Sequence, residues 1–408
     1  MSTVVVQDLE QFPRVELVNY YCPGGFHPVH LNDTFKNGQY RVINKLGYGS
    51  YGTVWLVYDT ILKRYASLKI LAAEVSDSYS EITVIQHLQQ HATGSGKEYV
   101  VEIFDFFQHT GPNGLHHCIV MEVLGPPISS DIEKIYPDEA FPIEVAKRIS
   151  AQISHGLAYI HTAGIVHGDL HMSNILLHSP IISSWTSDSD FEKYFGRPRQ
   201  RPLTLLGTDE LAAPSPHIPS YLVFVNNRNS LLKLCLSDPT QIHVKICDFG
   251  EAFIPTMQLT PLPPRGIPIF YAAPEVIFGD PSGLPADIWA LAVLICYIIE
   301  GGFIFSSYRG IRKEVIKSMV LTLGKLPERW WFSWEERSEW FNEDGEWWKN
   351  GVKIFPKSNG SGGKPKGGGG EIATLNEITR RMIKYDPKER ASIDEVIEWM
   401  NQNGWFVN

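Results

Sequence analysis

Four polar side chains, far apart in the chain, are of the types that handle phosphate and a divalent cation: Lys69, Asp169, Asn174 and Asp248. A lysine supplies positive charge, and carboxylate and amide oxygens are the hard ligands that magnesium takes. A carboxylate within reach of a hydroxyl also accepts its proton. The chemistry open to such a set is phosphoryl transfer, in which positioning and charge neutralisation dominate. A fifth feature suits it. Leu46–Val54 reads G-x-G-x-x-G-x-V through Gly47, Gly49 and Gly52. Glycines let a backbone bend over phosphates with no Cβ in the way. On its own the string is as much a glycine-rich hairpin as a phosphate flap. Its setting favours the flap: a β-branched, aromatic strand follows the last glycine, where a dinucleotide fingerprint would open a helix.

Each polar residue has its own setting. Lys69 lies near the end of the apolar run Tyr65–Leu71, and a lysine there is costly to bury without a charged partner. Glu81, on the helix that follows, is the expected partner; Glu74 competes but sits close to the strand end. His167–Asn174 fits H-x-D-x-x-x-x-N directly after an amphipathic helix. Asp169 would accept the proton of an attacking hydroxyl and Asn174 would hold Mg²⁺. Asp248-Phe249-Gly250 follows the strand-like Val244–Cys247, and Asp248 would hold Mg²⁺ against phosphates. Ala273-Pro274-Glu275 and Asp287-Ile288-Trp289 come next, with Arg390 the expected ion partner of Glu275. Each string alone is an ordinary turn; their fixed order makes the joint signal strong.

The elements that must position these residues fall into two groups. Tyr40–Leu46, Thr53–Tyr58, Tyr65–Leu71, 99–107 and 115–123 read as strands, with a helix over 76–89 carrying Ile82, Ile85 and Leu88 on one side. That predicts a small α+β lobe. After Gly125 the chain turns helical. Over Ile143–His161 the apolar residues Ala146, Ile149, Ile153, Leu157 and Ile160 fall on one helical face. The apolar run Ile288–Ile299 is too short for a bilayer, which needs about 20 residues, and reads as a buried core helix. Residues 178–243 read as irregular and 357–370 as a flexible polar loop, before helical sequence resumes at 371–385 and 392–400. The expected organisation is an N-terminal extension over 1–39, a small lobe over 40–125, and a larger helical lobe over 126–408 that carries the 178–243 insert.

Composition narrows the function classes. With 36 basic against 45 acidic residues the net charge is −9, which argues against direct nucleic-acid binding. The hydrophobic fraction of 43% suits a globular chain. Five cysteines without a C-x-x-C pair point to neither a zinc site nor a disulfide framework, and suit a reducing compartment. The N-terminus lacks a basic n-region and a long apolar core, so no secretory signal and no membrane association are expected. The expected setting is cytoplasmic or nuclear, as a monomer.

In this order, Gly47/Gly49/Gly52, Lys69, Glu81, His167-x-Asp169, Asn174, Asp248-Phe249-Gly250 and Ala273-Pro274-Glu275 resemble the eukaryotic protein kinases over nearly the whole chain. More narrowly, Tyr21–Val29, Tyr40–Ile43 with Lys45-Leu46-Gly47, Thr53–Leu56 and Glu122–Gly125 resemble the SR-protein kinases, whose domain is split by an insert after the catalytic loop. The resemblance implies an α+β, bilobal kinase-like fold and a serine/threonine protein kinase that uses ATP and Mg²⁺. It implies nucleotide contacts from Gly47, Gly49, Gly52, Val54, Ala66, Lys69 and Glu81. It also implies an adenine slot lined by Met121, with hydrogen bonds from the backbone of Glu122 and Leu124. Asp169, Lys69, His171 and Asn174 would be catalytic, and Asn174 and Asp248 would ligate the metal.

Three positions depart from the kinase pattern. His171 stands where serine/threonine kinases carry a lysine against the transferred phosphate. Pro268 stands where they carry a threonine that bonds the catalytic loop. Gly168 replaces the arginine that reads an activation-loop phosphate, so activation through Thr256 or Thr260 is not expected. The string H-G-D-L-H-x-x-N also resembles small-molecule kinases of the choline and aminoglycoside type, and a nucleotide-binding pseudokinase scaffold is a further alternative. Glu335, Glu336, Glu339, Glu343, Asp344 and Glu346 give segment 326–350 a negative cast, in the general region where SR-protein kinases dock arginine-rich substrates. Its tryptophans Trp330, Trp331, Trp334, Trp340, Trp347 and Trp348 read as packing. A solvated helix face is the ordinary reading of such a charge run; the expected partner is a protein substrate, with an Arg/Ser-rich one as the candidate class.

Overall fold

The computed structural model describes residues 15–76, 81–129, 135–136, 141–203, 215–257, 266–347 and 369–405. Thr260, Trp348 and most of the expected 357–370 loop lie outside the described residues. The chain forms two compact units: one of residues 1–86, 101–126 and 177–237, the other of 87–100, 127–176 and 238–408.

The first unit is built on a six-stranded antiparallel sheet. Its strands are β1 (Thr34–Phe35), β2 (Tyr40–Gly49), β3 (Gly52–Asp59), β4 (Arg64–Leu71), β5 (Ile103–Gly111) and β6 (Gly114–Met121), in spatial order β1-β2-β3-β4-β6-β5. Side chains alternate between the faces of a strand. In β4 this directs Ala66, Leu68 and Ile70 into a core with Val42, Trp55, Val57, Cys118 and Val120, and turns Lys69 to the other face. The strand expected over 99–107 begins later, at Ile103, because Lys97–Tyr99 forms a 3₁₀ turn and Val100 bridges to Ile246 in the second unit.

The insert departs from expectation. Residues 177–237 group with the sheet rather than with the helical unit, and the described ones, 177–203 and 215–237, contain regular elements. Helices Asp188–Phe195 and Asn229–Cys235 accompany a short antiparallel strand pair of Gln200–Pro202 with Tyr221–Val223. Burial explains the placement. Val223 joins the sheet core, Leu222 joins Val18, Tyr21, Phe26 and Ala72, and Phe191 packs on Tyr65 with ring centroids 4.1 Å apart. The Leu31 amide donates to the Tyr221 hydroxyl at 2.9 Å.

Near this edge three histidine rings meet edge to face: His27 lies 4.5 Å from His109 and 5.1 Å from His116. Burial, reinforced by those neighbours and by His30, holds His27 down at about 3, and burial also lowers His109 and His116. Between about pH 6.5 and 3 the unfolded chain therefore binds protons that the folded chain excludes. The contribution is intact above the ordinary histidine range and is lost as pH falls through that window, by on the order of 3–5 kcal/mol for His27 alone. Denaturant midpoints at pH 7 and pH 5 should fall less in His27→Phe than in wild type; equal falls would contradict this.

The second unit is helical. In Ile143–Thr162, Ala146, Ile149, Ile153, Leu157 and Ile160 are each 0% exposed, so the periodicity identified the buried face. Leu284–Glu300 is buried almost all round and ends at Gly301, whose φ of 74° provides a left-handed cap. No helix among the described residues is long and apolar enough to cross a membrane. Trp330, Trp331 and Trp334 pack with Phe341, Ile316 and Val320 in a local core. Helices Gly369–Met382 and Ile393–Gln402 follow, the second opened by a Ser392/Glu395 capping box.

Candidate active site

In the first unit the glycine-rich turn joins β2 to β3, with Gly49 opposite Gly52 and register shifts flanking Lys45. The three glycines have different reasons. A Cβ on Gly52 would lie 2.3 Å from the Ile70 carbonyl oxygen, so β4 itself excludes a side chain there. Among the described residues a Cβ on Gly47 or Gly49 would meet nothing within 4 Å, so both face open space there. Val54 pairs with Lys69 across β3 and β4, and Ala66 is buried opposite Val57. The Lys69 ammonium donates to both Glu81 oxygens at 2.8 and 2.9 Å. Glu74 lies at the turn after β4, where its amide donates to the Gly24 carbonyl at 2.7 Å. Met121 ends β6, half-buried. The Glu122 amide donates to the Glu102 carbonyl at 3.0 Å, and its carboxylate accepts from the Glu102 amide at 2.7 Å. Leu124 is buried two residues on.

In the second unit the segment 167–174 is held from below by Asp287, which the sequence reading placed only at a helix start. Its carboxylate accepts from the His167 amide at 2.8 Å and the Gly168 amide at 3.0 Å, and lies 3.0 Å from His161 Nε2. The D-x-W string was the available signal. His167 is fully buried, its Nδ1 accepting from the Asp169 amide and its Nε2 3.2 Å from the Cys247 carbonyl. Asn174 donates from Nδ2 to both the carbonyl and Oδ2 of Asp169, at 2.9 and 3.0 Å, which turns its own amide oxygen away. The Asn174 carbonyl accepts from the Cys247 amide at 2.9 Å, so Asp169, Asn174 and the Asp248 segment come together. Asp248 is exposed at φ 65°, unusual for a residue other than glycine. Its Oδ1 accepts from the Gly250 amide, while Phe249 is buried against His167 at 5.5 Å.

Both departures in the loop acquire a physical account. His171 Nδ1 accepts from the Ser173 amide at 3.1 Å, which leaves the ring proton on Nε2, 3.3 Å from Asp169 Oδ2. Asp169 Oδ2 thus has two neighbours, whereas Oδ1 is buried with no hydrogen-bond partner among the described residues. Gly168 has φ 76°, and a Cβ there would lie 2.6 Å from the Glu251 carbonyl oxygen. An arginine is therefore excluded by the backbone itself. Gly168→Ala should cost about 1–3 kcal/mol in urea unfolding; an unchanged midpoint would contradict this. Pro268 closes a turn by accepting from the Tyr271 amide at 2.8 Å, and the Tyr271 ring lies 5.9 Å from that of His171. Below it, Arg390 forms the expected pair with Glu275 at 2.6 and 2.7 Å.

Comparison with known families is decisive at this point: the family model described as "Protein kinase domain" matches residues 40–214 and 232–401. The chain belongs to the protein kinase family. The internal unmatched stretch, 215–231, holds Tyr221, Leu222 and Val223, three of the insert residues that pack within this kinase's sheet unit. The chain is similar to the protein kinase dsk1 of Schizosaccharomyces pombe, 25% identical over 464 residues that cover 95% of this kinase and 84% of that protein. It is 28% identical to the serine/threonine-protein kinase SRPK of Physarum polycephalum over 404 residues, 93% and 89% of the two chains. SRSF protein kinase 3 of Homo sapiens is 38% identical over 162 residues, 38% of this kinase and 28% of that protein. The resemblance to SR-protein kinases thus extends across nearly the full chain.

Proposed function

We propose that this kinase transfers the γ-phosphoryl group of ATP to serine or threonine hydroxyls of proteins, with Arg/Ser-rich segments as its preferred substrates. The observation that carries the reading is the Asp169 carboxylate: Oδ2 is steadied by Asn174 and His171, and Oδ1 is buried with no hydrogen-bond partner among the described residues. A buried acceptor of this kind suits the proton of a substrate hydroxyl. The residues present also fit Mg-ATP. Open space faces Gly47 and Gly49 where phosphates would lie, and Lys69 carries a charge oriented by Glu81. The Asn174 amide oxygen and the Asp248 carboxylate are the hard ligands magnesium prefers. Bound Mg-ATP supplies the transferable phosphoryl group and the cation that neutralises its charge.

In this reading Gly47, Gly49, Gly52, Val54, Ala66, Met121 and the backbone of Glu122 and Leu124 hold the nucleotide, and Lys69 orients its phosphates. Asp169 accepts the hydroxyl proton. His171 keeps the carboxylate in place rather than serving as a substitute for the lysine charge. The kinase works as a monomer in the cytoplasm or nucleus. The basic-substrate preference draws on the acidic face of 335–346. Glu335, Glu339, Glu343, Asp344 and Glu346 are exposed there, and among the described residues Glu339 and Glu343 have ion partners, in Lys313 and Arg337. Offering Arg-Ser repeat peptides beside acidic and neutral ones tests the substrate class. The Arg-Ser peptides should be phosphorylated fastest; equal rates on all three would remove it.

A further inference from the structure

The sheet unit contains a buried ion pair that the reaction scheme does not use. Glu16 and Lys45 both have side chains that are 0% exposed, and they are paired with each other. The Tyr21 hydroxyl donates to the same carboxylate, while Glu16 Oε2 is buried with no hydrogen-bond partner among the described residues. A buried pair of this kind is a poor source of stability compared with apolar packing, because both charges lose their water. Its location suggests another role. Lys45 is two residues before Gly47, between two register shifts in β2. Its ammonium lies over the Trp55 ring at 5.0 Å and over the Tyr48 ring at 5.7 Å. Tyr48 stands between Gly47 and Gly49, in the turn itself. Burial and then the Glu16 carboxylate push the Tyr48 phenol above its ordinary range, a second sign that this ring leans toward the pair.

We infer that Glu16 is a positioning residue for the nucleotide: it keeps Lys45 charged in a buried setting, and the Lys45 ammonium fixes Tyr48 and so the height of the glycine turn. Burial depresses the Lys45 ammonium, and Glu16 is what counters that. Without Glu16 the amine loses its proton readily, and the attraction to the Tyr48 and Trp55 faces goes with it. Segment 15–21 is then part of the nucleotide flap.

This inference rests on the nucleotide-binding reading, so the test separates the two. Mg-ATP binding and steady-state kinetics are measured for wild type, Glu16→Gln, Tyr48→Ala, Glu16→Gln/Tyr48→Ala and the apolar pair Glu16→Leu/Lys45→Met, with an unfolding midpoint for each. Glu16→Gln should raise KM for ATP about tenfold with kcat within about twofold, the pattern of lost nucleotide binding. Adding it to Tyr48→Ala should have no further effect. The apolar pair should regain the wild-type midpoint yet keep the raised KM, which a merely structural role would not do. A wild-type KM in the apolar pair would overturn the inference, as would additive effects in the double variant. Should Glu16→Gln not fold, the apolar pair and Tyr48→Ala still decide it. Wild type failing to bind Mg-ATP would overturn the nucleotide reading and this inference with it.

Discussion

Asp169→Asn should lower kcat by about 10²–10⁴-fold while leaving Mg-ATP affinity close to that of wild type. The substitution keeps the shape of the side chain and removes its capacity to take a proton. Oδ2 is already engaged by Asn174 at 3.0 Å and lies 3.3 Å from His171, so Oδ1 is the atom left for a hydroxyl. An amide presents either an oxygen with little basicity or an N–H₂ group in that position, and neither accepts the proton. Nucleotide contacts are proposed for other side chains, so binding should survive. Single-turnover rates, read together with equilibrium nucleotide titration, separate the two quantities. Full turnover in the variant would take Asp169 out of the reaction.

The second large effect is on stability. Glu275→Ala should cost about 3–5 kcal/mol, because it leaves an arginine charge buried without its counter-ion. Arg390 is bidentate to Glu275, and its side chain is 0% exposed. Two further donors go to the carbonyls of Lys384 at 2.9 Å and Pro285 at 2.8 Å, and it lies over the Trp289 ring at 5.1 Å. These contacts join the A-P-E turn, the start of the Leu284–Glu300 helix and the segment before Ile393–Gln402. The cost should be recovered largely by Glu275→Leu/Arg390→Met, since a packed apolar pair carries no desolvation penalty. Guanidinium unfolding of the three proteins measures this. A midpoint for Glu275→Ala equivalent to a loss under about 1 kcal/mol would show that the pair is not held as described.

What the sequence revealed of this fold followed from local rules. The 3.6-residue spacing in Ile143–Thr162 and the β-branched runs at Tyr40, Thr53 and Tyr65 are set by neighbours in the chain, and the elements match. The partnership of Lys69 with Glu81 was legible because a buried lysine demands an acid and few were near. The insert was not legible. Its two longer helices span only eight and seven residues, too short for periodicity to stand out, and Phe191 is buried against Tyr65, more than a hundred positions earlier. His171 was read for the charge it lacks, whereas its ring faces a carboxylate two residues away, a contact that depends on the turn of the loop. The Glu16–Lys45 pair was invisible for the same reason as the insert: 29 residues separate its members, and only the folded sheet brings them together.

The most direct test of the account is transfer of label from radiolabelled Mg-ATP by wild type and Asp169→Asn to an Arg-Ser peptide, a general basic protein and choline. The account predicts labelled serine in the Arg-Ser peptide with wild type, a much lower yield with Asp169→Asn, and no labelled choline. Label on choline with none on either protein substrate, or nucleotide binding by wild type with no transfer to any acceptor, would contradict it.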